Sequence, residues 1–151
     1  MSPMMPISWA RRIAARLRGL PPRPRGSRGA GYDWERAAEK ALGAAGYRIL
    51  ARNFRARSGE IDFVAEENGI LCFIEVKGRS GAGFGPPAEA VTAEKRRRIF
   101  RGAEEYLRRK PGRRPVCRFD VVSILEKEGE GPEIEILRDA FRGPVARRRK
   151  R

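Results

Sequence analysis

The sequence predicts an α/β fold, a sandwich of helices and strands, and three observations carry that expectation. Two segments, 34–45 and 93–110, repeat apolar residues at helical spacing. Between and after them lie short runs rich in β-branched and aromatic residues, which order the elements as αβββαββ. Asn68-Gly69 separates two of those runs and is the strongest short hairpin signal in the chain. At 151 residues without an evident internal repeat, the chain suits one domain with its own core.

Taken in order, the segment "ISWARRIAARLRGL" spaces Ile7, Ala10, Ile13, Ala14, Leu17 and Leu20 near helical period with arginines between, before "PPRPRGSRGAG" breaks any helix. It reads as a basic N-terminal arm, residues 1–30, amphipathic or unstructured. Asp33 is the expected N-cap of the first core helix, whose stripe is Trp34, Ala38, Ala41, Leu42 and Ala45 and whose stop is Gly46. "YRILARNF" reads as a strand, followed by the hairpin. The second helix turns Ile99, Ala103, Tyr106 and Leu107 inward and ends at Pro111-Gly112. "VCRFDVVSIL" and the shorter "EIEIL" close the domain as strands, so the folded unit is 31–141 and a basic tail occupies 142–151.

Charge narrows the partner and histidine narrows the chemistry. The chain has 34 Lys+Arg against 19 Asp+Glu, a formal net charge of +15, which favours a polyanionic partner. The two tails hold thirteen of those fifteen charges, so the middle is close to neutral. With no histidine, Ser-His-Asp and Cys-His catalysis and HExxH metalloprotease chemistry are excluded, leaving carboxylates, Lys and Arg. Cys72 and Cys117 are too few for a disulfide framework or a zinc site, and the chain shows neither a long apolar run nor a secretory h-region. A reducing, cytoplasmic setting is expected, with no membrane partner. A membrane-surface role for the arm is the alternative its amphipathic spacing leaves open.

The stretch "GEIDFVAEENGILCFIEVKG" carries the chemistry. If Asn68 and Gly69 form a two-residue turn, Asp62 lies opposite Glu75 and Glu60 opposite Lys77, all four on one face. The other face, Ile61, Phe63 and Ala65 with Ile70, Cys72, Ile74 and Val76, is apolar at period two. Opposed carboxylates with Cβ atoms about 5 Å apart repel by on the order of 3 kcal/mol at an effective dielectric near 20. Lys77 supplies one counter-charge. A hard divalent cation, Mg²⁺ or Mn²⁺, held by both carboxylates is the fuller compensation, and such an ion activates water and polarises phosphoryl oxygens. Glu35, at the edge of the first helix's stripe, can reach the same place. Against this stands the reading of E-x-K as rim ion pairs on a solvated strand.

At these residues the sequence resembles the YraN family of predicted endonucleases and, more distantly, archaeal Holliday-junction resolvases and the PD-(D/E)xK restriction-endonuclease-like superfamily. The resemblance runs from about Gly31 to Phe141. It rests on "ERAAEKAL" from Glu35, "GYRILARNFR", "GEID", "FIEVKGRS", "FGPPAEAV" before Lys95, and "RFDVVSI". It implies a restriction-endonuclease-like αβββαβ core with a mixed sheet, and a site of Glu35, Asp62, Glu75 and Lys77. In that site Asp62, Glu75 and Glu35 would bind Mg²⁺ or Mn²⁺ and Lys77 would assist the water. Trp34 departs from the family, which usually has Gly before the helix Glu.

Arg79, Lys95, Arg96, Arg97, Arg98 and Arg101 are the candidate nucleic-acid contacts, the last five opening a basic stripe on the second helix. The expectation is therefore a metal-dependent endonuclease acting on branched or damaged DNA, with DNA favoured over RNA and a homodimer suggested by analogy with resolvases. The alternative is a catalytically inert nucleic-acid-binding or assembly module that keeps the nuclease fold.

Overall fold

The computed structural model describes residues 13–15, 30–80, 91–127 and 130–143. The rest of the basic arm, the C-terminal tail from 144 and most of "FGPPAEAV" lie outside the described residues. Ile13–Ala15 form β1, a three-residue strand paired antiparallel with β6 (Glu130–Phe141), so these residues of the arm are extended rather than helical.

Helix α1 spans Ala30–Ala44, which places Asp33 inside its first turn instead of at its cap. The C-terminal stop is as expected. Gly46 adopts φ 95° while Tyr47 N donates to Leu42 O at 3.0 Å, closing the helix with a left-handed glycine.

Strands β2 (Arg48–Ala56), β3 (Gly59–Glu67) and β4 (Ile70–Ser80) form an antiparallel meander, with Asn68 and Gly69 both at positive φ in the tight turn. Helix α2 (Ala93–Arg108) begins at Thr92, whose Oγ1 accepts from Lys95 N at 3.2 Å. It then crosses to β5 (Cys117–Lys127), which pairs parallel with β4, and β6 returns antiparallel. The sheet order is β1-β6-β5-β4-β3-β2. The sheet is thus mixed and flanked by helices. β6 is longer than the "EIEIL" run predicts, because its polar positions pair along β5 over most of its length.

Helix α1 covers one face through Ala37, Ala38, Ala41 and Leu42, packed on Phe63, Ala65, Cys72, Ile74, Val122, Ile124, Ile134 and Ile136. Helix α2 covers the other through Ile99, Ala103 and Tyr106 on Ile61, Val64, Leu71, Phe73, Val121 and Leu137. Each fully buried Val, Leu, Ile or Phe side chain among them contributes about 1.5–3 kcal/mol. Beneath α2 an aromatic cluster joins Phe54, Phe73, Tyr106, Phe119, Phe100 and Phe141 by edge and stacked contacts. The hairpin therefore lacks the single apolar face that alternation suggests. The β4-α2-β5 crossover lays a helix on the second face, so Val64, Leu71 and Phe73 are buried too.

Toward the Asn68-Gly69 end, a buried ionic network ties β3, β5 and β6 to the turn between α1 and β2. Asp120, fully buried, accepts from Tyr47 Oη at 2.8 Å, Arg118 Nε at 2.8 Å and Asp139 N at 2.9 Å. Glu67 receives Arg118 and, through two nitrogens, Arg138. Two acids face two arginines, so the network is neutral as well as hydrogen-bonded. Both cysteines are free, and burial pushes the Cys72 thiol up to about 12, far from a reactive thiolate.

Candidate metal centre

The candidate site forms where strand alternation fails. Ala51 and Phe54 on β2, three residues apart, both pack on the α2 side, and so do Ile61 and Val64 on β3. A regular strand would put residues three apart on opposite faces. At this break Asn53 holds φ 49°, a left-handed conformation that Asn tolerates better than most non-glycine residues. Ile61 consequently lies on the opposite face from Phe63, not beside it as the sequence implied.

Pairing between β3 and β4 follows the hairpin register through Phe63–Ile74 and stops there. Beyond that rung the Asp62 side chain takes over, its Oδ2 accepting from Val76 N at 2.8 Å. Asp62 and Glu75 remain close enough for the charge of Asp62 to raise the Glu75 carboxyl, although no ladder rung joins them. Glu60 does not face Lys77. It pairs across with Arg55 on β2.

Three carboxylates converge on the α1 side: one oxygen each of Glu35, Glu60 and Asp62 lie within 4.8 Å of one another. Glu35 enters from α1 and accepts from Asn53 Nδ2 at 3.4 Å. Its neighbour Trp34 fixes the start of the helix against β4, since a Cβ on Gly78 would stand 1.6 Å from Trp34 Cε3. The indole Nε1 also donates to Glu126 Oε1 at 3.2 Å. The large residue is accommodated because Gly78, one position after Lys77, leaves room for the ring.

Glu75 is buried, and its counter-charge is not Lys77. Lys95 Nζ on α2 lies 3.3 Å from Glu75 Oε1, while the other oxygen, Oε2, is buried with no hydrogen-bond partner. Lys77 is exposed and lines, with Glu75, Thr92, Lys95 and Arg98, an open cavity of about 240 Å³. Burial, then the charge of Asp62, pushes the Glu75 carboxyl up to about 7. Asp62 is also raised, chiefly by burial, and the Val76 amide opposes that rise. Glu35 is raised by burial and by Asp62 and Glu60, with Asn53 pulling the other way.

Such a cluster fits a hard divalent cation. Its three ligand atoms are carboxylate oxygens, and Glu75, the acidic neighbour of Asp62, has one buried oxygen without a donor. Sequence reasoning brought Asp62, Glu75 and Glu35 to one place and put Glu60 on the same face opposite Lys77, but it did not pair Lys95 with Glu75. Glu60 shares a face with Asp62 at spacing two. Lys95 precedes Ile99, Ala103 and Tyr106 on the inward stripe of α2 by one turn, a signal that its charge masked.

Of the basic candidates, Arg79 is half-buried and donates to Ser123 Oγ at 3.5 Å. Arg96 is half-buried too, bonding Val91 O at 3.0 Å and lying over the Phe141 ring. Arg98 pairs with Glu94 at 2.6 Å at the cavity rim. Arg97 and Arg101 are exposed and have no partner among the described residues.

Comparison with known sequences is consistent in one direction. Residues 34–124 match the profile of the uncharacterised protein family UPF0102. A UPF0102 protein of Symbiobacterium thermophilum is 54% identical over 115 residues, 76% of this chain and 98% of the relative. Another, from Rhodococcus opacus, is 48% identical over 111 residues, 74% of this chain and 94% of the relative. One from Chlorobaculum parvum is 46% identical over 116 residues, covering 74% and 90%.

Proposed function

The chain belongs to the uncharacterised protein family UPF0102, and we propose that it is a metal-dependent endonuclease of the PD-(D/E)xK type acting on branched or damaged DNA. The observation that supports this reading is the buried Glu75 oxygen without a donor, on a side chain whose carboxyl is raised by the charge of Asp62, which itself converges with Glu35 and Glu60. Two carboxylates forced together in a low-dielectric site cost stability unless a proton or a cation joins them. A divalent ion held by Asp62, Glu75 and Glu35 would supply Lewis-acid polarisation of the phosphoryl oxygen and a water of lowered pKa.

The chain's own residues set the geometry. Asp62 is locked by the Val76 amide, Glu35 by Asn53 and by the Trp34 anchor, so both carboxylates are positioned before any ligand arrives. Lys77 is exposed beside them and offers an ammonium to orient the attacking water or to stabilise charge on the phosphoryl oxygens. Exposed Arg97 and Arg101, with Arg98 at the rim, lie on the helix that borders the cavity and supply sequence-independent attraction for a phosphate backbone. Paired cuts in branched DNA would require a homodimer.

One observation favours the second reading, an inert binding module. Lys95 already neutralises Glu75, and a site that balances its own charge has less need of metal. Cleavage of labelled linear, nicked, flapped, forked and four-way-junction DNA in Mg²⁺ or Mn²⁺, comparing wild type with Asp62→Asn, separates the two. We expect structure-selective, metal-dependent cutting that the variant loses. Tight, salt-sensitive binding by both proteins without cutting would establish the binding module instead.

A further inference from the structure

Lys95 occupies an uncomfortable position. It sits in the first turn of a 16-residue helix, where the helix end is itself positive and a cation is disfavoured. Two more cations, Lys77 and Arg98, line the same cavity. What holds Lys95 is Glu75, 3.3 Å away, and the two partners differ sharply in freedom: the Glu75 side chain is 9% exposed and the Lys95 side chain 40%. The carboxylate is fixed in the strand while the ammonium, on a flexible four-carbon stem, can swing into the cavity.

Glu75 also belongs to the carboxylate pair to which the nuclease reading assigns the metal. One carboxylate cannot fully serve a divalent cation and an ammonium at once, and the doubly charged ion wins by Coulomb's law at equal distance. Once displaced, Lys95 joins Lys77 and the α2 N-terminus in a cavity whose remaining carboxylate, Glu94, is already paired with Arg98. A phosphate group restores the balance.

We propose that Lys95 is a resident counter-ion that surrenders Glu75 when the divalent cation binds and then takes a substrate phosphate, so that metal and nucleic acid bind cooperatively. The inference rests on the nuclease reading and adds to it a mechanism for ordering the two ligands. It also reconciles the self-neutralised site with a metal-dependent one: the Lys95–Glu75 pair is the resting state. Coupling of this kind is reciprocal, so DNA must tighten metal binding by the same factor by which metal tightens DNA binding.

The test uses the full chain as wild type and Lys95→Met. Mn²⁺ binding is measured by calorimetry without DNA, and binding of a short fluorescein-labelled duplex is followed by anisotropy across a KCl series, in Ca²⁺ and in EDTA. We expect Lys95→Met to bind Mn²⁺ about three- to tenfold more tightly, because a competing cation is gone. In wild type the slope of log K against log salt should steepen by about 0.9 on adding Ca²⁺, the mark of one additional phosphate contact, and in the variant it should not change. Equal steepening in both proteins, or weaker Mn²⁺ binding in the variant, would overturn the role of Lys95. Absence of Mn²⁺ binding by wild type would instead refute the nuclease reading beneath it. Matching thermal melts of the two proteins in EDTA at low pH confirm that the comparison is between folded states.

Discussion

Replacing Glu75 with glutamine gives the most direct measure of what the buried carboxylate pair costs. The Glu75 carboxyl is raised from an ordinary 4.5 to about 7, first by burial and second by Asp62. Below the ordinary value both folded and unfolded chains carry the proton and no penalty is felt. Between that value and about 7 the unfolded chain ionises while the folded one keeps its proton, so stability falls as pH rises. Above the window the folded chain carries a buried charge, and the accumulated loss is roughly 3 kcal/mol at 1.36 kcal/mol per pKa unit. The substituted amide cannot ionise, so in EDTA at pH 8 we expect Glu75→Gln to be more stable than wild type by up to about 3 kcal/mol, a rise in Tm of roughly 6–12 °C. At pH 4.5 the two should melt together. The absence of histidine keeps this window free of the usual competing titration. Mg²⁺ at pH 8 should raise the Tm of wild type and leave Glu75→Gln almost unmoved. A wild-type stability that is flat from pH 5 to 8 relative to the variant, or equal stabilisation of both by Mg²⁺, would refute the argument.

Three further outcomes follow from the packing and the surface. Gly78→Ala drives a Cβ into the Trp34 ring and should cost about 1–3 kcal/mol in urea unfolding, with Trp34→Ala in the same chain recovering part of the loss. Asp120→Ala leaves Arg118 buried without one of its carboxylates and strands the Tyr47 hydroxyl and the Asp139 amide, so a loss of about 3–5 kcal/mol is expected in the same assay. Arg97→Glu with Arg101→Glu should leave stability within about 0.5 kcal/mol of wild type, since neither side chain has a partner among the described residues. If the exposed face of α2 contacts a phosphate backbone, that double variant should also bind DNA more weakly and lower the salt slope by about 0.9 per lost contact. An unchanged slope would remove that face from the interface.

The topology was legible because local and global signals agree along most of the chain. The αβββαββ order, the Asn68-Gly69 turn and the inward stripes of both helices follow from spacing alone, and the sheet realises them. Period-two reasoning misled at the hairpin because the second helix buries the face it left to charges. The runs "DFVA" and "LCFI" are apolar at every position but one, the mark of a strand covered on both sides. Turn geometry fixes the register from the loop outward through Phe63–Ile74, and the ladder ends one rung short of the Asp62–Glu75 pairing it predicts. The ion pair of Lys95 with Glu75 was not legible. The lysine's identity suggested a phosphate, whereas its position one turn before Ile99 fixes it against the sheet. Trp34 could not be understood from its own position, because the space it fills is made by Gly78, forty-four residues away.

The place where alternation fails is also the place where the proposed metal site requires it to fail. In a regular meander Glu35 and Glu75 would be separated by the sheet, since α1 and α2 cover opposite faces. A metal that needs carboxylates from both sides cannot be held by such a sheet unless one strand end turns. The break at Asn53 and Asp62 supplies that turn: Ile61 stays with the α2 cluster, β3 parts from β4 after Phe63, and Asp62 then lies in reach of Glu35 on one side and Glu75 on the other. Asn53 is the residue that both adopts the left-handed backbone and donates to Glu35. Local irregularity and carboxylate convergence are therefore one structural event. A residue that restored ideal strand geometry at Asn53 would gain backbone comfort and lose the acidic cluster.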